Sequence, residues 1–254
     1  MPVVAVIPAR YASTRYPGKP LLRETGKYLV QHVYERAAAA RRVDEVIVAT
    51  DDERIADAVR SFGGGVAMTR ADHPSGTDRI AEVALQRKLP ADAIVLNVQG
   101  DEPEIEPAAL DRLVERLERD RACPAATLYC PFPAGADPAD PNCVKVVVNR
   151  SGRALYFSRS LLPYPRDAEA AGGPSAYRLH LGVYAYRCGF LLEFASWTPS
   201  LYEGIEKLEQ LRILENGIPL AVERVERAAV GIDTPVDYAR FVERWRSAGG
   251  GGGM

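Results

Sequence analysis

The sequence is poor in the residues that most often announce a function. It has three histidines and four cysteines in 254 residues, and Cys123, Cys130, Cys143 and Cys188 show no CxxC spacing. Zinc frameworks and disulfide scaffolds are excluded in favour of reduced, buried thiols. No apolar run approaches the roughly 18 residues of a membrane-spanning helix, so no membrane insertion is expected. The opening "MPVVAVIP" lacks the basic segment, apolar core and cleavage site of a secretory signal, and a cytoplasmic location is expected. Neither GxxxxGK[ST] nor GxGxxG occurs, which removes the two commonest phosphate-binding fingerprints. Charge of one sign is also missing. With 32 Lys and Arg against 34 Asp and Glu, the net charge is −2, and a whole-surface basic field for nucleic acid is excluded. There is no internal repeat.

What is present is a soluble composition, 47% hydrophobic and 26% charged, long enough for a sizeable core. Short apolar runs at 3–8, 44–52, 65–69, 92–103 and 124–130 read as strands buried on both faces. Between them, 27–41, 53–62, 75–88 and 106–120 read as helices, with stripes such as Leu29, Val33 and Ala37, or Leu110, Leu113, Val114 and Leu117. This alternation predicts an α/β fold with a doubly wound, mostly parallel sheet. Residues 131–187 are richer in Pro and Gly, and predict a smaller antiparallel β sub-domain or flap with a mobile loop at 163–178. Helices at 200–217 and 233–246 flank a strand in "IPLAVERV", and Asp233 is a plausible N-cap with Pro235 in the first turn. The expected organisation is one domain over 1–248, with parts 1–130, 131–187 and 188–248, then a flexible Gly tail at 249–254.

Ligands of such sheets bind beyond the carboxyl ends of the strands. The polar residues there are Arg10 to Lys19, Asp51 and Asp52, and Gln99 to Glu102. In "PARYASTRYPGK", small residues (Ala9, Ala12, Ser13, Thr14, Gly18) let the backbone approach a ligand, while Arg10, Arg15 and Lys19 add charge and donors. A triphosphate needs that combination, though a solvated basic loop reads the same way. Asp101, just beyond an apolar strand and facing this loop, suits Mg²⁺, which takes hard oxygen ligands and remains bound to substrate phosphates. A turn-forming Asp in "GDEP" is the plainer alternative.

The loop "IPARYASTRYPGKPL" resembles the signature of the 3-deoxy-D-manno-octulosonate (Kdo) cytidylyltransferases. The likeness continues in order through "VATDDERIADAV", "MTRADHPSGTDRIAEV", "NVQGDEP", "NCVKVVVNRSGRALYFSR", "HLGVYAYR", "EKLEQLRILENG" and "GIDTPVDY". These blocks span nearly the whole chain. The related CMP-sialic acid synthetases carry Gly-Gly-Ser-Lys where this chain has "YASTR". The resemblance implies a nucleotide-diphospho-sugar transferase type of fold and the reaction of CTP with Kdo to give CMP-Kdo and pyrophosphate, for lipopolysaccharide biosynthesis. Another acidic acceptor (a sialic acid or an amino-Kdo) and a non-catalytic nucleotide-binding protein are the alternatives.

The resemblance also implies roles. Arg10, Arg15, Lys19, Asp101 and Asp233 would be catalytic, and Asp101 and Asp233 would hold Mg²⁺. Ala9, Arg10, Ser13, Thr14, Arg15, Lys19, Arg70, Ser75, Gly76 and Gln99 would bind the nucleotide. Arg159, His180, Glu209 and Gln210 would bind the sugar acid. Read from the residues alone, Glu209 and Gln210 also fit a solvated helix face and His180 a packed strand position. His73 is given no catalytic role. The family often has a basic residue directly before the His of "HLG". Here Leu179 takes that place, Arg178 is the nearest Arg, and 163–178 matches loosely. A homodimer is implied. The run "LGVYAY" reads either as its interface or as a core strand.

Overall fold

The computed structural model of the chain describes residues 1–12, 16–133, 135–167 and 176–249. Of the sequence expectations, Ser13, Thr14, Arg15, residues 168–175 of the 163–178 loop and the tail from 250 lie outside the described residues. Two compact units form, one from 1–111 with 229–254 and the other from 112–228.

The first unit is a parallel sheet in the order β3–β2–β1–β4, with β1 Val3–Ala9, β2 Glu45–Thr50, β3 Gly65–Met68 and β4 Ile94–Asn97. Val3 to Ile7 and Ile94 to Leu96 are buried, as near-continuous apolar runs in a covered parallel sheet must be. Helices α1 Leu29–Ala38, α2 Glu53–Ser61 and α3 Gly76–Gln86 alternate with the strands, and Leu29, Val33 and Ala37 are fully buried as their spacing implies. Helix α4, Pro107–Arg119, runs across the boundary of the units and buries Leu110, Leu113, Val114 and Leu117.

Residues 229–254 rejoin the first unit through α8, Pro235–Ser247. Ile232, Tyr238, Phe241 and Val242 cluster with Leu29, and Tyr16 and Leu22 pack against them. The cap of this helix differs from the expectation. Thr234, not Asp233, is the N-cap, in a capping box with Asp237. Thr234 accepts from the Asp237 amide and its own amide donates to Asp237 Oδ2, so the terminus is satisfied without the Asp233 carboxylate.

His32 belongs to this packing. It is 3% exposed, lies edge-on to Phe241 and Trp245, and shares a 2.7 Å hydrogen bond with Thr25 Oγ1. Burial lowers its pKa to about 4, the Glu35 charge pulling it up and Lys27 pushing it further down. The unfolded imidazole takes a proton near 6.5, whereas the folded ring stays neutral down to about 4. Its contribution to stability is therefore complete above pH 6.5 and is lost as pH falls towards 4. Urea unfolding should show wild type losing about 2 kcal/mol more than His32→Gln between pH 6.5 and 5. Parallel pH profiles for the two proteins would refute this.

The second unit mixes strand directions. β5 Ala125–Pro131 pairs antiparallel with β8 Arg178–Arg187 and parallel with β9 Leu220–Arg224. β6 Lys145–Val148 and β7 Ala154–Ser158 form an antiparallel pair, and Lys145 meets Leu179 of β8. The α/β class is therefore observed, with parallel strands and a smaller set of antiparallel ones. Val183, Tyr184, Ala185 and Tyr186 are buried, which makes "LGVYAY" a core strand.

The helix expected over 200–217 is two short ones. α5, Cys188–Ser196, precedes them, α6 is Leu201–Glu206 and α7 is Leu211–Glu215. Lys207 sits at φ 54°, which ends α6, and Leu201 and Ile205 are 68% and 69% exposed rather than buried. Helical spacing of leucines does not reveal where a left-handed residue breaks the helix.

Candidate active site

Two glycines shape the loop ends of the first unit. Gly18 has φ +71° and its amide donates to Tyr11 O at 2.9 Å, closing the cationic loop. A Cβ on Gly100 would lie 2.8 Å from Pro8 O, so only glycine lets the chain after β4 press against the end of β1. The result is a cleft of about 220 Å³, lined among others by Ala9, Arg10, Lys19, Gln99, Asp101 and Asp233. All six are residues that the sequence singled out.

Lys19 is the centre of this group. Its Nζ donates to Asp101 Oδ2 at 2.8 Å and to Ile232 O at 2.6 Å, and lies 4.0 Å from Asp233 Oδ1. The Ile232 amide donates to Asp101 O at 2.9 Å, which ties the segment leading to α8 onto the segment after β4. Two carboxylates from positions 132 residues apart thus converge on one ammonium, and both stay partly exposed. Glu102, next to Asp101, is pushed up to about 8, first by burial and then by the Asp101 charge. A protonated Glu102 at neutral pH adds no third negative charge. Two hard carboxylates beside a cationic loop fit Mg²⁺, which takes one or two of them and leaves its other positions to water and phosphate.

Arg10 is held from behind. Its Nη2 donates to His73 O at 2.8 Å and Ser75 O at 3.1 Å. That segment is braced by His73 against Glu82 and by the Arg70 amide donating to Glu82 Oε2. Ser75 is the N-cap of α3, and a Cβ on Gly76 would stand 3.5 Å from Pro8. The Arg70 side chain itself is exposed and 3.5 Å from Asp72. Arg79, marked in the "MTRADHPSGTDRIAEV" block with the polar residues around the start of α3, is fully buried, donating to Thr69 Oγ1 and lying 3.1 Å from Asp51 Oδ1. Its Nε and Nη2 are buried without a hydrogen-bond partner among the described residues. A charged residue one turn into a helix gives no sequence signal that it points inward.

The remaining site candidates lie in the second unit. His180 Nε2 is 3.0 Å from Thr127 Oγ1, which is also within reach of Leu181 O and Val183 O. The single hydroxyl proton goes to a carbonyl, so Thr127 accepts from His180 Nε2–H, and Nδ1 is left as an acceptor. Burial lowers the His180 pKa to about 3, and the ring is neutral at pH 7. Phe157 and Tyr184 flank it at 4.8 and 5.6 Å. Burial raises the Tyr184 phenol, and Glu209 raises it further. Sequence reading did not single out Tyr184, since its alternation matches any core strand.

Glu209 and Gln210 fall in the connection between α6 and α7 rather than on a helix face. Gln210 is 5% exposed, and its Nε2 is buried with no hydrogen-bond partner among the described residues. Arg159 is committed to backbone. Its Nε donates to Glu206 O at 2.6 Å, Nη1 to Pro141 O at 2.9 Å and Nη2 to Lys207 O at 3.4 Å. Fully buried Lys145 donates to Arg159 O at 2.6 Å.

A parallel α/β sheet with a cationic loop and paired carboxylates beyond its strand ends is the arrangement of a nucleotidyltransferase. The family model for cytidylyltransferases matches residues 4–225. The 3-deoxy-manno-octulosonate cytidylyltransferase of Syntrophotalea carbinolica is 51% identical over 94% of this chain and 97% of its own length. That of Geobacter metallireducens is 52% identical over 96% and 98%. A solved CMP:2-keto-3-deoxy-manno-octonic acid synthetase complexed with CTP superposes with a TM-score of 0.90 at 47% identity, over 98% of this chain and all of the other. The chain belongs to the 3-deoxy-manno-octulosonate cytidylyltransferase family of nucleotidyltransferases.

Proposed function

We propose that the chain joins CTP and Kdo to give CMP-Kdo and pyrophosphate, the activated sugar serving lipopolysaccharide synthesis. The observation that carries this reading is the meeting of Arg10, Lys19, Asp101 and Asp233 at one cleft beyond β1 and β4, in a chain about half identical to enzymes of that name. The anomeric hydroxyl of Kdo attacks the α-phosphorus in line. A new O–P bond forms, the hydroxyl proton passes to water, the α–β phosphoanhydride breaks, and pyrophosphate leaves. Arg10 and Lys19, with Arg15, neutralise charge on the pentavalent transition state and the leaving group, acting by position and electrostatics. Ala9, Ser13, Thr14, Gln99 and the segment carrying Arg70, Ser75 and Gly76 hold the nucleotide.

Asp101 and Asp233 would hold Mg²⁺, which supplies Lewis-acid polarisation of phosphate oxygens. Lys19 keeps the two carboxylates together in the meantime. On the acceptor side, Arg159, His180, Glu209 and Gln210 take the sugar acid. The neutral His180 ring, with an acceptor at Nδ1, and the unpartnered Gln210 amide support hydroxyl recognition. The proposed nucleotide-binding part at 1–130 and the flap at 131–187 follow the same reading.

No helix among the described residues is long and apolar enough to cross a membrane, which suits a cytoplasmic enzyme. The exposed Leu201 and Ile205 of α6 support a homodimer, and light scattering that returned the monomer mass at micromolar concentration would remove that part. The reaction is tested by pyrophosphate release from CTP and Mg²⁺, with Kdo or N-acetylneuraminate as acceptor. Release with Kdo alone is expected. Release with N-acetylneuraminate alone would overturn the acceptor, and CTP binding without release from either would overturn catalysis.

A further inference from the structure

A second concave site lies wholly within 112–228. It is an open cleft of about 490 Å³, and five of its lining residues are arginines: Arg116, Arg119, Arg150, Arg178 and Arg224. Tyr129 forms part of its wall and Glu223 is its one carboxylate. In a protein of net charge −2 this is a pronounced local excess of positive charge. None of the residues assigned above to nucleotide, metal or sugar lines it.

The arginines differ in how far they are already engaged. Arg116 is structural, since its Nη2 donates to Ser151 O at 3.1 Å and Gly152 O at 2.9 Å and so braces the turn at the rim. Arg119 pairs with Glu223 at 3.1 Å, and Glu223 is also 3.9 Å from Arg116, whose nearer carboxylate is Asp120 at 3.3 Å. Arg224 is 3.9 Å from Glu226. Arg178 donates to Val148 O at 3.3 Å and lies 5.2 Å from the centre of the Tyr129 ring. Arg150 is exposed and has no hydrogen bond or ion pair among the described residues. Like charges gathered around one concavity repel each other, and an anion in the cleft relieves that repulsion.

We propose that this cleft binds a free, multiply charged phosphate compound, from diphosphate to nucleoside-triphosphate size. All five cations are arginine and none is lysine. The guanidinium fork gives paired hydrogen bonds to phosphate oxygens, which an ammonium cannot. The volume suits a compact small molecule rather than an extended acidic chain. The Tyr129 ring beneath Arg178 adds a flat surface on which a ring can rest.

The test is a titration of the full chain with inorganic pyrophosphate, followed by residue-resolved NMR. Saturable shifts are expected at Arg150, Ser151 and Gly152, whatever happens at Gly100 in the first unit. Failure of the proposed reaction therefore leaves this result unaffected. The double variant Arg150→Ala with Arg224→Ala should weaken the apparent Kd at Gly152 on the order of ten-fold or more. Both residues are exposed, and an unchanged spectrum elsewhere verifies folding. Shifts reproduced by sodium chloride at equal ionic strength, or a Kd unchanged in the variant, would overturn the proposal. So would binding to phosphatidate vesicles without any response to free pyrophosphate.

Discussion

Asp101→Asn lowers kcat for pyrophosphate release by about 10²–10³ and raises the Mg²⁺ needed for half-maximal rate roughly ten-fold or more. The substitution is isosteric, and its carboxamide oxygen still accepts from Lys19 Nζ, as Asp101 Oδ2 does at 2.8 Å. The tie between Ile232 and the Asp101 carbonyl is backbone and survives. The fold should therefore persist while the negative charge is lost. What disappears is one of the two anionic oxygen donors proposed for Mg²⁺ and the negative charge that Lys19 meets at 2.8 Å. The measurement is single-turnover pyrophosphate release across a Mg²⁺ series. Wild-type turnover at saturating Mg²⁺ would remove Asp101 from the metal site.

Arg212→Ala destabilises the protein by about 3–5 kcal/mol, lowering the unfolding midpoint by about 10 °C. Arg212 is 8% exposed, and its Nε and Nη2 form a fork with Glu203 Oε2 and Oε1 at 2.7 and 2.6 Å. Its Nη1 donates to Trp197 O at 2.9 Å, and the guanidinium lies 5.1 Å from the centre of the Phe194 ring. Burial alone would raise the Glu203 carboxyl, but the Arg212 fork, the Ser200 amide and the Lys207 charge together outweigh it and hold the group below its ordinary range. Truncating the arginine leaves that largely covered carboxylate without its cation, held only by the Ser200 amide among the described residues, which is the costly half of breaking such a pair. Arg212→Lys keeps the charge without the fork and should fall between the two in urea unfolding. A loss under about 1 kcal/mol for the alanine variant would mean that the pair is solvated. Because Arg212 Nη2 lies 3.8 Å from Glu209 Oε1, two residues beyond Gln210, the alanine variant should also raise KM for the acceptor more than for CTP.

Local chemistry was enough to read the first unit. Apolar runs of four to seven residues separated by amphipathic helices define a parallel sheet, because both faces of each strand must be covered. The cations of the loop after β1 and the carboxylate after β4 could be marked from the same pattern, since strand ends are where ligands approach. Near the chain's end the reading was less secure. Asp233 looked like a helix cap, and the structure gives that role to Thr234, because a hydroxyl one residue later reaches the Asp237 amide. The 200–217 stretch has leucines at helical spacing but breaks at Lys207, whose left-handed backbone leaves Glu209 and Gln210 in a connection.

The sequence by itself determined the fold class, the basic loop and, through ordered blocks of resemblance, the family. Those features are local, written in periodicity and in contiguous motifs. Tertiary structure alone decided what stands next to what. Lys19 meets Asp101 across 82 residues and Ile232 across 213. It does so because burying Ile232, Tyr238 and Phe241 against Leu29 carries the last helix back to the first unit. The same holds for the buried Arg79 and for the five arginines around one cleft in the second unit. No periodicity encodes such meetings, since they follow from which apolar faces pack together, and the polar residues travel with them.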